Sequence, residues 1–257
     1  RVAAALATLR EKLSDYRRQK EQLLQEHGLA SDYLKPVYHC PDCRDTGYVN
    51  GRRCHCFEQA AINLVYTQSN LKEILERENF STFSFDYYSA DDINPAKDAV
   101  AKCHDFIDHF DSTFSNLYLY GDTGIGKTFL SNCIAKELLD RGHSVIYFTA
   151  FQLFDILSKG VFKRDEEALL SHRNIFDCDL LIIDDLGTEL SNSFTTSQLF
   201  LCINERILRQ KSTIISTNLG MNQLADIYSE RVLSRISSNY TLLKLFGADI
   251  RILKRHR

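Results

Sequence analysis

Leu117-Tyr118-Leu119-Tyr120-Gly121-Asp122-Thr123-Gly124-Ile125-Gly126-Lys127-Thr128-Phe129 sets a short apolar strand, a glycine-rich loop and the start of a helix in one line. Residues 121–128 fit G-x-x-x-x-G-K-[ST] at every position. The chemistry behind that spacing is anion capture. A helix N-terminus offers unpaired backbone N–H groups and the positive end of its dipole, and glycines let the backbone approach a phosphate closely. Gly121, Asp122, Thr123, Gly124, Ile125, Gly126, Lys127, Thr128 and Phe129 are therefore expected to bind ATP. In that arrangement Lys127 neutralises the β- and γ-phosphates, and the Thr128 hydroxyl holds Mg2+.

Working downstream, Leu180-Leu181-Ile182-Ile183-Asp184-Asp185 is an apolar strand ending in two acids, a Walker B strand. Asp184 is expected to bind Mg2+, directly or through water. Asp185 stands where many such ATPases carry Glu, the base that polarises the attacking water. Its side chain is one methylene shorter, so slow hydrolysis is expected, with Glu189 as a secondary candidate for the same task. Thr213-Ile214-Ile215-Ser216-Thr217 ends in Asn218, whose amide can reach a γ-phosphate and orient water. Arg231 and Arg235 stand four residues apart, on one face of a helix. Two readings stand for them: a solvated surface, or an arginine finger reaching a neighbouring subunit's nucleotide.

The strands Leu117–Tyr120, Ser144–Thr149, Leu180–Asp184 and Thr213–Thr217 alternate with amphipathic segments. That rhythm predicts βαβ units and a parallel α/β sheet with flanking helices. Upstream, Leu6, Leu9, Leu13, Tyr16, Leu23 and Leu24 form a helical stripe over residues 1–27, with His27-Gly28 as its C-cap. A second charged helix is expected over 59–78, an aromatic-rich linker over 79–94, and a helix over 95–110 with Pro95 in its first turn. The expected division is 1–78, a small helical and zinc-binding module; 79–94, a linker; and 95–257, the ATPase domain.

Bulk composition narrows the classes. With 257 residues, 44% hydrophobic and 25% charged, the chain is read as globular with a sizeable core, and its net charge of −3 gives no global attraction to nucleic acid. No apolar run reaches the roughly 18 residues of a membrane span, so no membrane partner is expected. The first residue is Arg, not Met, which reads as a piece of a longer chain. Of eight cysteines, Cys103, Cys133, Cys178 and Cys202 lie singly among apolar neighbours and are expected in the core. Cys40-x2-Cys43 and Cys54-x-Cys56 crowd into 17 residues and suit tetrahedral Zn2+ in a segment too short to fold on its own. A redox pair or an iron–sulfur cluster is the alternative, and His55 is a rival to Cys54 or Cys56 as ligand. With no secretory signal, a reducing, cytoplasmic setting is expected.

Taken in order, Gly-Asp-Thr-Gly-Ile-Gly-Lys-Thr (121–128), Leu-Leu-Ile-Ile-Asp-Asp-Leu-Gly (180–187), Ser-Thr-Asn (216–218) and Ser-Glu-Arg-Val-Leu-Ser-Arg-Ile (229–236) resemble the bacterial replicative-helicase loaders. These are the DnaC/DnaI type of AAA+ ATPase, related to the IstB transposition helpers. The resemblance covers about residues 35–257, including Cys-Pro-Asp-Cys-Arg-Asp-Thr-Gly-Tyr (40–48) and Phe-Ser-Phe-Asp-Tyr-Tyr (83–88). It implies an AAA+ sheet of the ASCE type, with Asn218 as sensor 1, Arg235 as the trans finger supported by Arg231, and Arg251 as sensor 2. A lid truncated to some 20 residues after Arg235 also fits the family. Implied partners are the hexameric replicative helicase, single-stranded DNA and further copies of the chain. The DNA-binding insertion corresponds to Phe151–His172, where Lys159, Phe162, Lys163 and Arg164 combine charge with an aromatic; a solvated loop is the alternative. Two other functions stay open: an IstB-like regulator of a transposase, and a nucleotide-gated zinc adaptor with little hydrolysis.

Overall fold

The computed structural model describes residues 2–57, 59–60, 69–162 and 166–255. Contacts divide the chain into two units, Arg1–Thr46 and Gly47–Arg257. The first holds helix α1 (Val2–Glu26), followed by turns. On α1, Leu6, Leu9, Leu13, Tyr16 and Leu23 are exposed, while Leu24 is buried. Three- and four-residue spacing thus forms the stripe as the sequence predicts, and most of it faces solvent. After Gly28, whose φ of 65° ends the helix, the Leu29 N–H donates to Leu24 O.

The second unit opens with an antiparallel hairpin, β1 (Tyr48–Val49) and β2 (Arg52–Arg53). Its two-residue turn, Asn50-Gly51, takes positive φ at both positions, the geometry tight hairpins favour. Helix α2 (Ser69–Arg77) covers the end of the helix expected over 59–78; residues 58 and 61–68 lie outside the described ones. Helix α3 (Ile93–Asp108) starts two residues before the predicted Pro95.

A five-stranded parallel sheet then forms from β3 (Leu117–Tyr120), β4 (Val145–Thr149), β5 (Leu180–Leu186), β6 (Ser212–Thr217) and β7 (Thr241–Lys244). Its order is β4-β5-β6-β3-β7, so β6 runs between the strand entering the glycine loop and the strand ending in two acids. The central strands are buried at nearly every position because both sheet faces are covered. Tyr118, Ile146, Leu181 and Ile215 pack with α5 (Ala150–Phe162), α6 (Glu166–Asp177), α7 (Ser193–Leu208), α8 (Met221–Tyr228) and α9 (Glu230–Asn239) on one face. On the other, Leu119, Ile182 and Ile214 pack against α3 and α4 (Lys127–Asp140).

Three features depart from the sequence reading. Strand β7 was not anticipated. Only Leu243 of its four residues is buried, so no alternation marks it. β5 continues two residues past Asp184, through a register irregularity between Ile183 and Leu186 that leaves Asp185 at φ 55°. The described residues of Phe151–His172, read as either a DNA-binding insertion or a solvated loop, lie in two helices, with Leu153 and Leu157 buried. Lys163 and Arg164 lie outside the described residues, Lys159 pairs with Asp155, and nothing is described of the Phe162 side chain.

Candidate nucleotide site

At the carboxyl ends of β3, β5 and β6 a cleft of about 490 Å3 opens, where ligands of open α/β sheets bind. Thr123, Gly124, Gly126, Lys127, Thr128 and Phe129 line one wall; Asp184, Asp185 and Asn218 line another. The fold itself makes this juxtaposition. Thr149 of β4 lies beside Asp184 in register, and Thr217 of β6 pairs with Tyr120 of β3, so the strand tips carrying these groups end at one level.

The loop is shaped by steric exclusion. Gly121 and Gly126 have φ of 136° and 101°. A Cβ on Gly121 would meet Leu245 O at 2.4 Å, so only glycine fits there. The Lys127 ammonium folds back to donate to Gly121 O at 2.8 Å and Asp122 O at 2.6 Å. Burial lowers its pKa, while the nearby Asp185, Asp184 and Asp122 carboxylates act in the opposite sense. Ile125 is 1% exposed and turned into the core, so of the loop side chains it is an anchor, with its carbonyl accepting from the Tyr88 hydroxyl at 3.1 Å. Burial pushes that hydroxyl up to about 12.

Asp184 is the most heavily held acid in the cleft. Thr128 Oγ1 donates within 3.1 Å and 3.2 Å of its two oxygens, Tyr147 donates to Oδ2 at 2.7 Å, and Ser216 Oγ donates to Oδ1. Ser216 Oγ also accepts the Asp185 N–H at 3.1 Å. Burial first, and then the Asp184 charge, raise the Tyr147 hydroxyl well above its ordinary value. Asp185 itself projects into the cleft and is exposed; its carboxyl is raised by burial and by Asp184, against Lys127 and Arg251. An oxygen pair from Thr128 and Asp184 facing a phosphate loop is the hard donor set Mg2+ prefers. Glu189, the secondary candidate base, is occupied elsewhere, since it accepts from Gly187 N at 3.0 Å and from the Tyr228 hydroxyl.

The segment after β7 closes over the loop. Ile250 N–H donates to Gly124 O at 2.9 Å, and Arg251 lines the cleft while its guanidinium pairs with Asp249 at 3.2 Å. Arg231 and Arg235 of α9 are exposed and do not line this cleft. From the stretch expected as a linker, Thr82, Phe83, Ser84 and Tyr87 also line it, with the Phe83 ring set edge-on to Phe129 at 5.7 Å. Sequence reasoning missed Tyr147 and Tyr88. No motif contains Tyr147; the aromatic density of 80–88 was the signal that 79–94 does more than connect.

In the cysteine segment, Cys40 and Cys43 are buried within the first unit, and Cys54 is buried within the second. Four thiolates are the soft donor set that tetrahedral Zn2+ takes. Asp45 accepts the Cys40 N–H at 2.9 Å and the His39 N–H at 3.1 Å, shaping the first turn. His55 lies against Gly142, where an added Cβ would stand 3.0 Å from the ring.

A model of the family described as IstB-like ATP binding protein matches residues 65–238. The replicative helicase loader DnaC of Escherichia coli K12 is 27% identical over 154 residues, 59% of this chain and 62% of that protein's length. Among solved structures, a DnaC helicase loader superposes with a TM-score of 0.59 at 22% identity, over 68% of this chain and 99% of that one. DnaI superposes at 0.57 and 24%, over 68% and 94%.

Proposed function

The chain belongs to the family of IstB-like ATP-binding proteins, and from that premise we propose that it is an AAA+ ATPase that loads a hexameric replicative helicase onto single-stranded DNA. The observation that carries the ATPase half is the convergence of Thr128, Asp184, Asp185 and Asn218 on one cleft at the glycine loop. In this reading Gly121–Thr128 and Phe129 cradle ATP, with Lys127 swinging from its two carbonyls to the β- and γ-phosphates. Thr128 and Asp184 hold Mg2+, which neutralises developing phosphate charge. Asp185 takes the proton of the attacking water, and Asn218 orients that water. Arg251 reaches the phosphates from the same chain; Arg235, supported by Arg231, reaches them from a neighbouring copy. The exposed position of both arginines outside their own cleft supports this.

The loader half is supported by the likeness to a helicase loader. Residues 1–78 would grip the helicase, with Zn2+ on Cys40, Cys43, Cys54 and Cys56 as a staple; 79–94 would connect, and 95–257 would hydrolyse ATP and touch DNA, in the cytoplasm. No described helix is long and apolar enough to cross a membrane. The resemblance to the IstB transposition helpers favours one second reading, an ATPase acting on a transposase.

Capture of the replicative helicase by the full chain, with and without ATP, tests the loader. Binding in either state supports it; none in both, with firm binding to a transposase, overturns it. Turnover stimulated by single-stranded DNA and lost in Lys127→Ala excludes a pure adaptor. Metal analysis is expected to give one zinc per chain, reduced in Cys43→Ser.

A further inference from the structure

Asp184 is held from both neighbouring strands, and one of its holders belongs to no nucleotide-binding motif. Strand β4 lies in register with β5, Tyr147 beside Ile182 and Thr149 beside Asp184. Residues two apart on a strand share a face, so Tyr147 lies on the same side of the sheet as the Asp184 carboxylate. Its ring spans the two-residue offset and brings the hydroxyl to 2.7 Å from Oδ2. From β6, Ser216 Oγ donates to Oδ1, and because it also accepts the Asp185 N–H it is fixed in place.

The consequence is orientational. A carboxylate has about four lone-pair positions on its two oxygens. Donors from two sides occupy one on each oxygen and lock the rotation of the group about its own axis. The remaining positions face Thr128 Oγ1, which stands 3.1 Å and 3.2 Å from the two oxygens. Mg2+ tolerates little departure from octahedral geometry, so a carboxylate that swings freely is a poorer ligand than one already aimed. Partners that orient metal ligands from behind are worth about 10- to 100-fold in affinity.

We propose that Tyr147 is a positioning residue that aims the Asp184 carboxylate at Mg2+ and thereby sets the Mg2+ concentration at which nucleotide binds tightly. The inference rests on the ATP reading of the cleft and deepens it. Ser216 is the opposing half of the clamp.

The test is made on the full chain with a fluorescent ATP analogue, first in EDTA and then across a Mg2+ titration. Tyr147→Phe keeps the ring and deletes one oxygen. The expected result is an affinity in EDTA within about twofold of the parent, and a half-saturating Mg2+ concentration raised on the order of 10-fold. Ser216→Ala is expected to shift the Mg2+ midpoint in the same direction. The midpoint is read only from molecules that bind nucleotide, so partial unfolding of a variant does not enter it. An unchanged Mg2+ midpoint in Tyr147→Phe overturns the proposal, whether or not melting temperature or affinity in EDTA falls. A parent chain that binds no nucleotide overturns the ATP reading itself, and this inference with it.

Discussion

Asp185 shows how much one position can carry. Its φ of 55° is a region that Asp and Asn tolerate better than most residues, and it arises where β5 slips register against β6. The longer Glu common at this position would have to be accommodated in that same left-handed backbone. Asp185→Asn keeps both shape and backbone preference and removes the proposed base. The expected outcome is nucleotide affinity close to the parent's, with turnover reduced on the order of 100-fold, read by phosphate release beside equilibrium binding. Loss of binding to the same extent would assign Asp185 to the phosphate cradle rather than to the chemistry.

Among the elements, α7 is fastened by a buried arginine. Arg206 is fully buried, and its guanidinium donates to Ile175 O at 2.6 Å, Cys178 O at 3.2 Å, Ser212 O at 2.6 Å and Thr213 Oγ1 at 3.0 Å. It satisfies the end of α6 and the start of β6 together, where carbonyls would otherwise be orphaned. Arg206→Leu fills similar space and leaves those acceptors unpaired, so destabilisation of roughly 3 kcal/mol is expected from denaturant unfolding. Nearby, Asp179 ties the turn before β5 to β4 and β6. Burial alone would raise its carboxyl, but Lys211 at 2.8 Å and the Ser144 N–H and hydroxyl outweigh it and hold the carboxyl below the usual range. A depressed folded-state pKa contributes stability above the unfolded value of about 4, and that contribution is lost as pH falls through the folded value. Unfolding midpoints of parent and Asp179→Asn should therefore differ at pH 7 and draw together as pH falls below the unfolded value; a constant difference would show that the carboxylate charge is not what stabilises this corner.

For the molecule as a whole, the proposed arginine finger would complete the site only between copies. Arg235→Ala should bind nucleotide as the parent does and lose turnover on the order of 1,000-fold, the scale of an arginine finger. Mixing it with Lys127→Ala provides subunits with an intact cleft and others with an intact finger, so partial recovery of phosphate release is expected. No recovery at any mixing ratio would place Arg235 outside the chemistry. The exposed stripe of Leu6, Leu9, Leu13, Tyr16 and Leu23 belongs to this scale too. In the proposed loader this row is the surface offered to the helicase.

The glycine loop, the acids after four apolar residues and the parallel sheet were legible in the sequence because each depends on local order: which residue follows which along a strand, a turn and a helix start. The cysteine pattern was legible for the same reason, since its four thiols fall within 17 residues. What only the tertiary structure decided depends on which strands become neighbours. The order β4-β5-β6-β3-β7 puts Tyr147 beside Asp184, 37 residues away along the chain, and closes the segment after β7 over Gly124. No periodicity encodes such contacts, because a hydrogen bond between strands is fixed by register and by sheet order, and both are set by the packing of the whole core.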